Sequence, residues 1–304
     1  MISRNAVLLF LGSIFQLALP VALQVALQAA VIPSSALGYI PHRQTIVGRM
    51  VRSHGKGAFI IEQDVLFHPT NGEPLIVHER WAVSSAESMR LTATATPAGK
   101  GSEQLRYDIV YRNGKRSVNE GGSVRSGSVG EDFIEGFFHA RTTRGFYAEM
   151  ISAHIADPDA LRERPKIKKI EEVDHSPDEQ LRLGREAGTV AWILGAPSPT
   201  DGPLNPEIWI DQDEFNLRKI RFPSAAEVTA DRYSVYARTL HLPRERTVSW
   251  NGNSVLIRVS SVRAVTPAQI ASTLEPASVA NLGKTKIAKL PDVDQVKEFY
   301  ARFR

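Results

Sequence analysis

Hydrophobic and polar residues alternate along much of this chain with a period of two. In segment 75–83, Leu75, Val77, Trp81 and Val83 fall on one face and Ile76, His78, Arg80 and Ala82 on the other, as a strand with two unlike faces requires. Met89, Leu91, Ala93 and Ala95 alternate in the same way with Arg90, Thr92, Thr94 and Thr96, and segment 105–118 continues with Tyr107, Ile109 and Tyr111. Asn113 and Gly114 interrupt that segment, and because both residue types tolerate positive φ the pair predicts a tight hairpin. Consecutive hairpins of this kind build an antiparallel meander. Segments 190–194, 207–211, 217–222, 233–239, 247–250 and 254–262 are rich in β-branched and aromatic residues and bounded by turn formers, with Asn251 and Gly252 joining the last two, so they too predict strands.

A second period belongs to helices. Ile46, Val47, Met50 and Val51 share one face of segment 42–54, which ends at Gly55 and Gly57. In segment 132–155, Phe133, Ile134, Phe137 and Phe138, then Phe146, Tyr147, Met150 and Ile151, recur at helical spacing up to the stop at Pro158, predicting two short amphipathic helices. A last helix is predicted after Pro291, with Val293, Val296, Phe299, Tyr300 and Phe303 on or near one side. Segment 162–186 is highly charged and contains Pro165 and Pro177, which predicts an exposed connection.

About ten strands with one apolar face and a few amphipathic helices to cover it define a mainly β fold with α elements, an incomplete antiparallel β-barrel covered by helices. In that arrangement Val77, Trp81, Leu91 and Ile109 from strands face Phe137, Phe138, Phe146 and Met150 from helices. These eight are the candidate lining of an apolar ligand site. The organisation read from the pattern is a leader at 1–38, a half-barrel domain at 39–265 carrying a helical and charged insertion at 128–188, and a C-terminal extension at 266–304.

Arg4 precedes an apolar stretch at 6–32, and Ala36 and Gly38 fit the small positions of a signal-peptidase site, which predicts export and a mature start near Tyr39. Uncleaved, the same stretch would serve as an anchor across a bilayer core of ~30 Å, although Gln16, Pro20, Gln24 and Gln28 weaken it as a span. The chain has no cysteine, which removes disulfides, thiol nucleophiles and the lipid-bearing cysteine of a lipoprotein. A net charge of +4 and a pI near 9.3 are spread over a surface in which acids and bases intermingle, and with export this argues against a nucleic-acid partner.

Catalytic chemistry finds little support. The eight histidines are scattered without helical i, i+4 pairing, so no zinc site is predicted. Asp211, Asp213 and Glu214 cluster but lack the glycine and distal glutamate of a calcium loop and read as a polar hairpin turn. Glu79 and Arg80 are adjacent on a strand and point to opposite faces, which suits cross-strand ion pairing better than a shared acid–base site. There is no G-x-S-x-G elbow. The expectation is a binding protein with no catalytic residue, metal or cofactor.

The run Gln44-Thr45-Ile46-Val47-Gly48-Arg49-Met50, followed by Phe59-Ile60-Ile61-Glu62-Gln63-Asp64-Val65, resembles the start of LolA-like outer-membrane lipoprotein carriers. Glu207-Ile208-Trp209-Ile210-Asp211 with Phe215-Asn216-Leu217-Arg218-Lys219-Ile220 resembles that family's hairpin, and Leu242-Pro243-Arg244 leading to Ser254-Val255-Leu256-Ile257-Arg258-Val259 resembles its closing strands. The likeness covers most of 43–265. It implies an incomplete barrel whose apolar cavity holds lipoprotein acyl chains or lipid in the periplasm, with an inner-membrane ABC exporter as donor and an outer-membrane acceptor. The other role it allows is a lipid- or lipoprotein-sensing regulatory or interaction protein. The physical need is plain, since each exposed methylene costs ~0.8 kcal/mol in water.

Overall fold

The computed structural model describes residues 41–69, 74–95, 105–120, 123–161, 180–280 and 293–304. The leader predicted at 1–38 and most of the predicted connection, 162–179, lie outside these residues. Among the described residues thirteen strands form: β1 (Ala58–Phe67), β2 (Leu75–Ser85), β3 (Ser88–Ala95), β4 (Leu105–Arg112), β5 (Lys115–Glu120), β6 (Ser123–Ser128), β7 (Leu181–Glu186), β8 (Thr189–Leu194), β9 (Glu207–Asp211), β10 (Leu217–Arg221), β11 (Glu227–Tyr236), β12 (Leu240–Trp250) and β13 (Asn253–Val265). The two Asn-Gly turns form as the sequence predicts. Asn113 and Gly114 have φ of 49° and 73°, and Asn251 and Gly252 have 44° and 78°, the left-handed pair that matches strand twist.

All thirteen strands join in one antiparallel sheet, in the order β6-β5-β4-β3-β2-β1-β13-β12-β11-β10-β9-β8-β7. Every ladder joins strands consecutive in sequence, except the seam where β1 meets β13 from Ala58↔Val265 to Phe67↔Val255. The seam holds a bulge between Glu62 and Gln63, where Ser260 has no opposite number and its hydroxyl donates to the Glu62 carbonyl at 2.9 Å. Strands β6 and β7 are the two edges, so the sheet does not close into a barrel. It does curl, because Val118 of β5 and Trp192 and Leu194 of β8 belong to one buried core.

Three departures from the sequence pattern have physical reasons. Strand β7 lies inside the charged stretch read as a connection. Its Arg182 and Arg185 flank Leu183, which is 50% exposed, because an edge strand tolerates charge and needs only one partner. Strand β6 has no apolar face to announce it. Strand β12 starts at Leu240, well before the predicted 247, and runs through Pro243. Proline is tolerated there because β13 pairs with β12 only from Glu245 onward, leaving no ladder bond on that side to lose.

Three of the described helices that lie against the core precede β7: α1 (Arg43–Arg52), α2 (Glu135–His139) and α3 (Thr143–Ser152). Ile46, Val47, Met50 and Val51 of α1 are buried, as the helical spacing predicts. The Thr142 hydroxyl caps α3 by accepting from the Gly145 N–H at 3.0 Å. After β13 come α4 (Pro267–Ile270), a 3-10 turn (Ala271–Leu274), α5 (Ala277–Ala280) and α6 (Asp294–Arg302).

Strand alternation tells on which face each piece lies. Asn119 points away from the main core and donates to the Val279 carbonyl at 2.6 Å, while Ile270 and Leu274 pack on Ala58, Ile60 and Ala82. The segment from α4 to α5 therefore covers the convex face. Arg116, in phase with buried Val118, donates to the Tyr300 carbonyl at 2.8 Å, which places α6 on the concave face. Among the described residues no helix is long and apolar enough to cross a membrane.

Candidate functional site in the concave face

The eight predicted lining residues all lie in the concave core, each at most 1% exposed. Strand register aligns one row across the sheet: Ile61, Trp81, Leu91, Ile109 and Val118. Val77 sits four residues before Trp81 on β2, opposite Val65 and Ala95. From the helices, Phe137 meets Phe146 edge-on at 5.6 Å and Phe222 at 6.0 Å. Phe138 lies beneath the Arg246 guanidinium at 4.8 Å, and Met150 completes the buried face of α3. The structure brings strand and helix residues into one interior.

That interior also contains a charged ring that the sequence reading missed. Gln63 donates to Glu79 at 2.7 Å and accepts from Arg246 at 2.7 Å. Arg246 grips both oxygens of Glu135 at 2.9 and 3.0 Å. Arg304 closes the ring, with Nη1 at 3.1 Å from Glu135 and Nε and Nη2 at 3.0 and 3.2 Å from Glu79. Its guanidinium lies between the rings of Phe299 (4.8 Å) and Trp81 (5.5 Å). The signal for three members was available: Glu79 falls in phase with Val77 and Trp81, Gln63 with Ile61 and Val65, and Arg246 with Val248 and Trp250. A polar residue in an apolar row at strand spacing marks a buried polar group.

Burial opposes the charge on Glu135, yet Arg246 and Arg304 hold its carboxyl well below the usual carboxylate range. Burial likewise works against Arg304, and Glu79 and Glu135 override it to keep the guanidinium firmly protonated. His139 contacts Glu135 at 3.3 Å, and burial lowers its pKa in spite of that contact. The ring thus sets two carboxylates against two guanidiniums, so it is electrically balanced, with a neutral imidazole beside it.

The outer face holds the polar groups that the sequence reading weighed as chemistry. His78 meets Asp64 at 2.6 Å and Arg80 meets Glu62 at 4.0 Å across the β1–β2 ladder, while Glu79 turns inward. Asp211 accepts from the N–H groups of Asp213 and Glu214 at 2.9 and 3.0 Å and from Arg218 at 3.0 Å, so its oxygens are occupied by its own turn and the next strand. Among the described residues no three acidic or histidine side chains are grouped to hold a metal.

Two cavities adjoin the site. One of about 130 Å³ opens at the rim of the sheet between Glu87, Tyr111, Phe137 and Glu149. One of about 10 Å³ lies inside, against Gln63, Trp81, Glu135 and Arg246. Both are small beside the roughly 300–1,000 Å³ of typical small-molecule sites.

Neither protein-family models nor curated proteins match the chain. Solved structures similar to it include a LolA superfamily protein from Nitrosomonas europaea (TM-score 0.48, 10% identity, covering 76% of this chain and 97% of that one). They also include a Vibrio parahaemolyticus domain named for outer-membrane lipoprotein sorting (TM-score 0.47, 12% identity, 78% and 97%) and a DUF1329 family protein from Desulfovibrio piger (TM-score 0.46, 12% identity, 78% and 97%).

Proposed function

We propose that the protein is a periplasmic carrier that shelters the hydrocarbon of a lipoprotein or lipid against the concave face of its sheet, acting by shielding and not by chemistry. One observation carries the reading. A single apolar face drawn from both halves of an open sheet is covered by short helical pieces from separate parts of the chain, α1, α2–α3 and α6. A core sealed by a second sheet would have to unfold to admit a guest. One sealed by short helices can admit it by displacing a helix, exchanging one apolar covering for another at little net loss of buried area. In this reading the donor is an inner-membrane exporter and the acceptor lies in the outer membrane, as the sequence resemblance implies.

The test is native mass spectrometry of the protein isolated from its own envelope under mild extraction, joined to its depletion in the living cell. Co-purifying lipid or lipoprotein, with lipoproteins accumulating at the inner membrane on depletion, is the expected result. Bound lipid without any change of lipoprotein location would favour a sensor, and an apo protein that binds no acyl probe would remove the carrier reading.

A further inference from the structure

The charged ring is assembled from unequal partners. Gln63, Glu79 and Arg246 stand on strands β1, β2 and β12, and Glu135 stands on α2, within the insertion between β6 and β7. Arg304 arrives with the segment that contains α6. That segment presents Val296, Phe299, Tyr300 and Phe303 to the concave face, with Phe299 at 5.4 Å from Phe67, Phe303 at 5.1 Å from Trp250 and Tyr300 at 5.6 Å from Tyr107. Its inward side therefore resembles a ligand already in place: an apolar face carrying one cation, Arg304, laid in an apolar groove.

Charge bookkeeping then constrains any substitute. With Arg304 in place the ring holds Glu79 and Glu135 against Arg246 and Arg304. With α6 replaced by a guest that covers the same groove, Glu79 and Glu135 face the Arg246 guanidinium without that of Arg304, and the ring beneath the guest is left one negative charge out of balance. A buried uncompensated charge is among the most unfavourable features a protein interior can contain. A guest of hydrocarbon alone would restore the apolar contacts and leave that charge exposed to low dielectric. An anionic guest would worsen it. A guest with a cation beside its hydrocarbon would restore both, and the rings of Trp81 and Phe299 show the surroundings such a cation finds, Trp81 remaining when the helix leaves.

We propose that the α6 segment is an internal occupant of the carrier's ligand site, and that the ligand which replaces it is an amphiphile bearing a cationic ammonium or guanidinium group that pairs with Glu79 and Glu135. The proposal rests on the carrier reading above and adds the charge of the guest and the element it displaces. Glu79 would be the main selecting residue, since it makes two of the three carboxylate contacts to the Arg304 guanidinium.

The experiment uses the full chain and three single-chain probes of equal length below their micellar concentrations: decylguanidinium, decyl maltoside and decanoate. Calorimetry gives the affinities, and hydrogen exchange reports protection of residues 294–304. Decylguanidinium should bind at least about tenfold more tightly than decyl maltoside, decanoate should bind weakest, and protection of 294–304 should fall as the cationic probe binds. Arg304→Met, which keeps the apolar body and removes the competing cation, should bind decylguanidinium more tightly than the parent. Glu79→Gln should bring the cationic and neutral probes within about threefold of each other. Equal binding of all three probes with loss of protection would leave the carrier reading standing and overturn the charge selection. Cationic binding with residues 294–304 still protected would place the probe elsewhere and overturn the displacement. Binding of no probe would overturn the carrier reading and this inference with it.

Discussion

Glu149 on α3 has its ionisation moved into the physiological range. Burial raises its carboxyl to about 7, and the negative charge of Glu87 adds to the effect. A carboxyl that titrates higher in the folded chain than in the unfolded one contributes stability that is full below about pH 4.5 and is lost as the pH rises towards 7. Glu149→Gln should therefore be more stable than the parent at pH 8, by on the order of 2 kcal/mol, and nearly equal to it at pH 4.5. Thermal melts of both proteins at the two pH values check this, and a gap that does not change with pH would refute it. His54 works in the other direction. Burial lowers its pKa to about 3, against its 2.9 Å bond to the Ala140 carbonyl, so its contribution is full above pH 6.5 and is lost as the pH falls towards 3. The ring predicts a coupling as well. Arg246→Met leaves Glu135 short of a partner and should cost about 3–5 kcal/mol in urea unfolding, whereas Arg246→Met with Glu135→Gln should recover most of that loss. A double variant no more stable than the single one would mean that the two residues act independently.

Among the elements, those that alternate cleanly and end in strong turns were readable in the sequence: β2 to β5, β9, β10 and β13, together with α1, α3 and α6. Two kinds of element were not. Edge strands such as β6 and β7 pair on one side only, so their composition drifts towards loops, and the break at Pro243 hid the first half of β12. The inward placement of the eight predicted residues was legible because period two and helical spacing decide which way a side chain points. The ring was not, because its members are far apart in sequence and each alone resembles an ordinary surface charge; Glu79 reads as one until its phase with Val77 and Trp81 is noticed. The tight burial of the lining changes what its variants should do. At a water-lined wall Phe138→Ser would cost little, but with the ring of Phe138 buried beneath the Arg246 guanidinium the loss should be about 3 kcal/mol or more. The same variant should bind an acyl-chain fluorophore at least about tenfold more weakly. Denaturation and probe titration on one preparation test both, and full stability together with full binding would remove Phe138 from the site.

At the scale of the whole molecule, nearest-neighbour pairing leaves the β1–β13 seam as the one ladder that joins distant parts of the chain; the Ser260 to Glu62 bond spans 198 residues. Everything from β1 to β6 is one uninterrupted meander and everything from β7 to β13 another, and Val65 faces Ile257 where they meet. The gene can therefore be split. A chain divided between Leu161 and Gln180 keeps every other ladder within one piece, and the two polypeptides should find each other through the seam and the shared core when produced together. A tag on one piece should retain the other on an affinity column. Val65→Pro, at a position flanked by paired strands on both sides, should abolish the retention because proline is not accommodated in the middle of a sheet. Pieces that pair equally well with and without that proline would show that reassembly runs through some other surface. If the pairing is as expected, the two meanders are separable units of inheritance, each able to be exchanged or circularly rearranged as a block, with the seam as the one strand ladder that must be rebuilt.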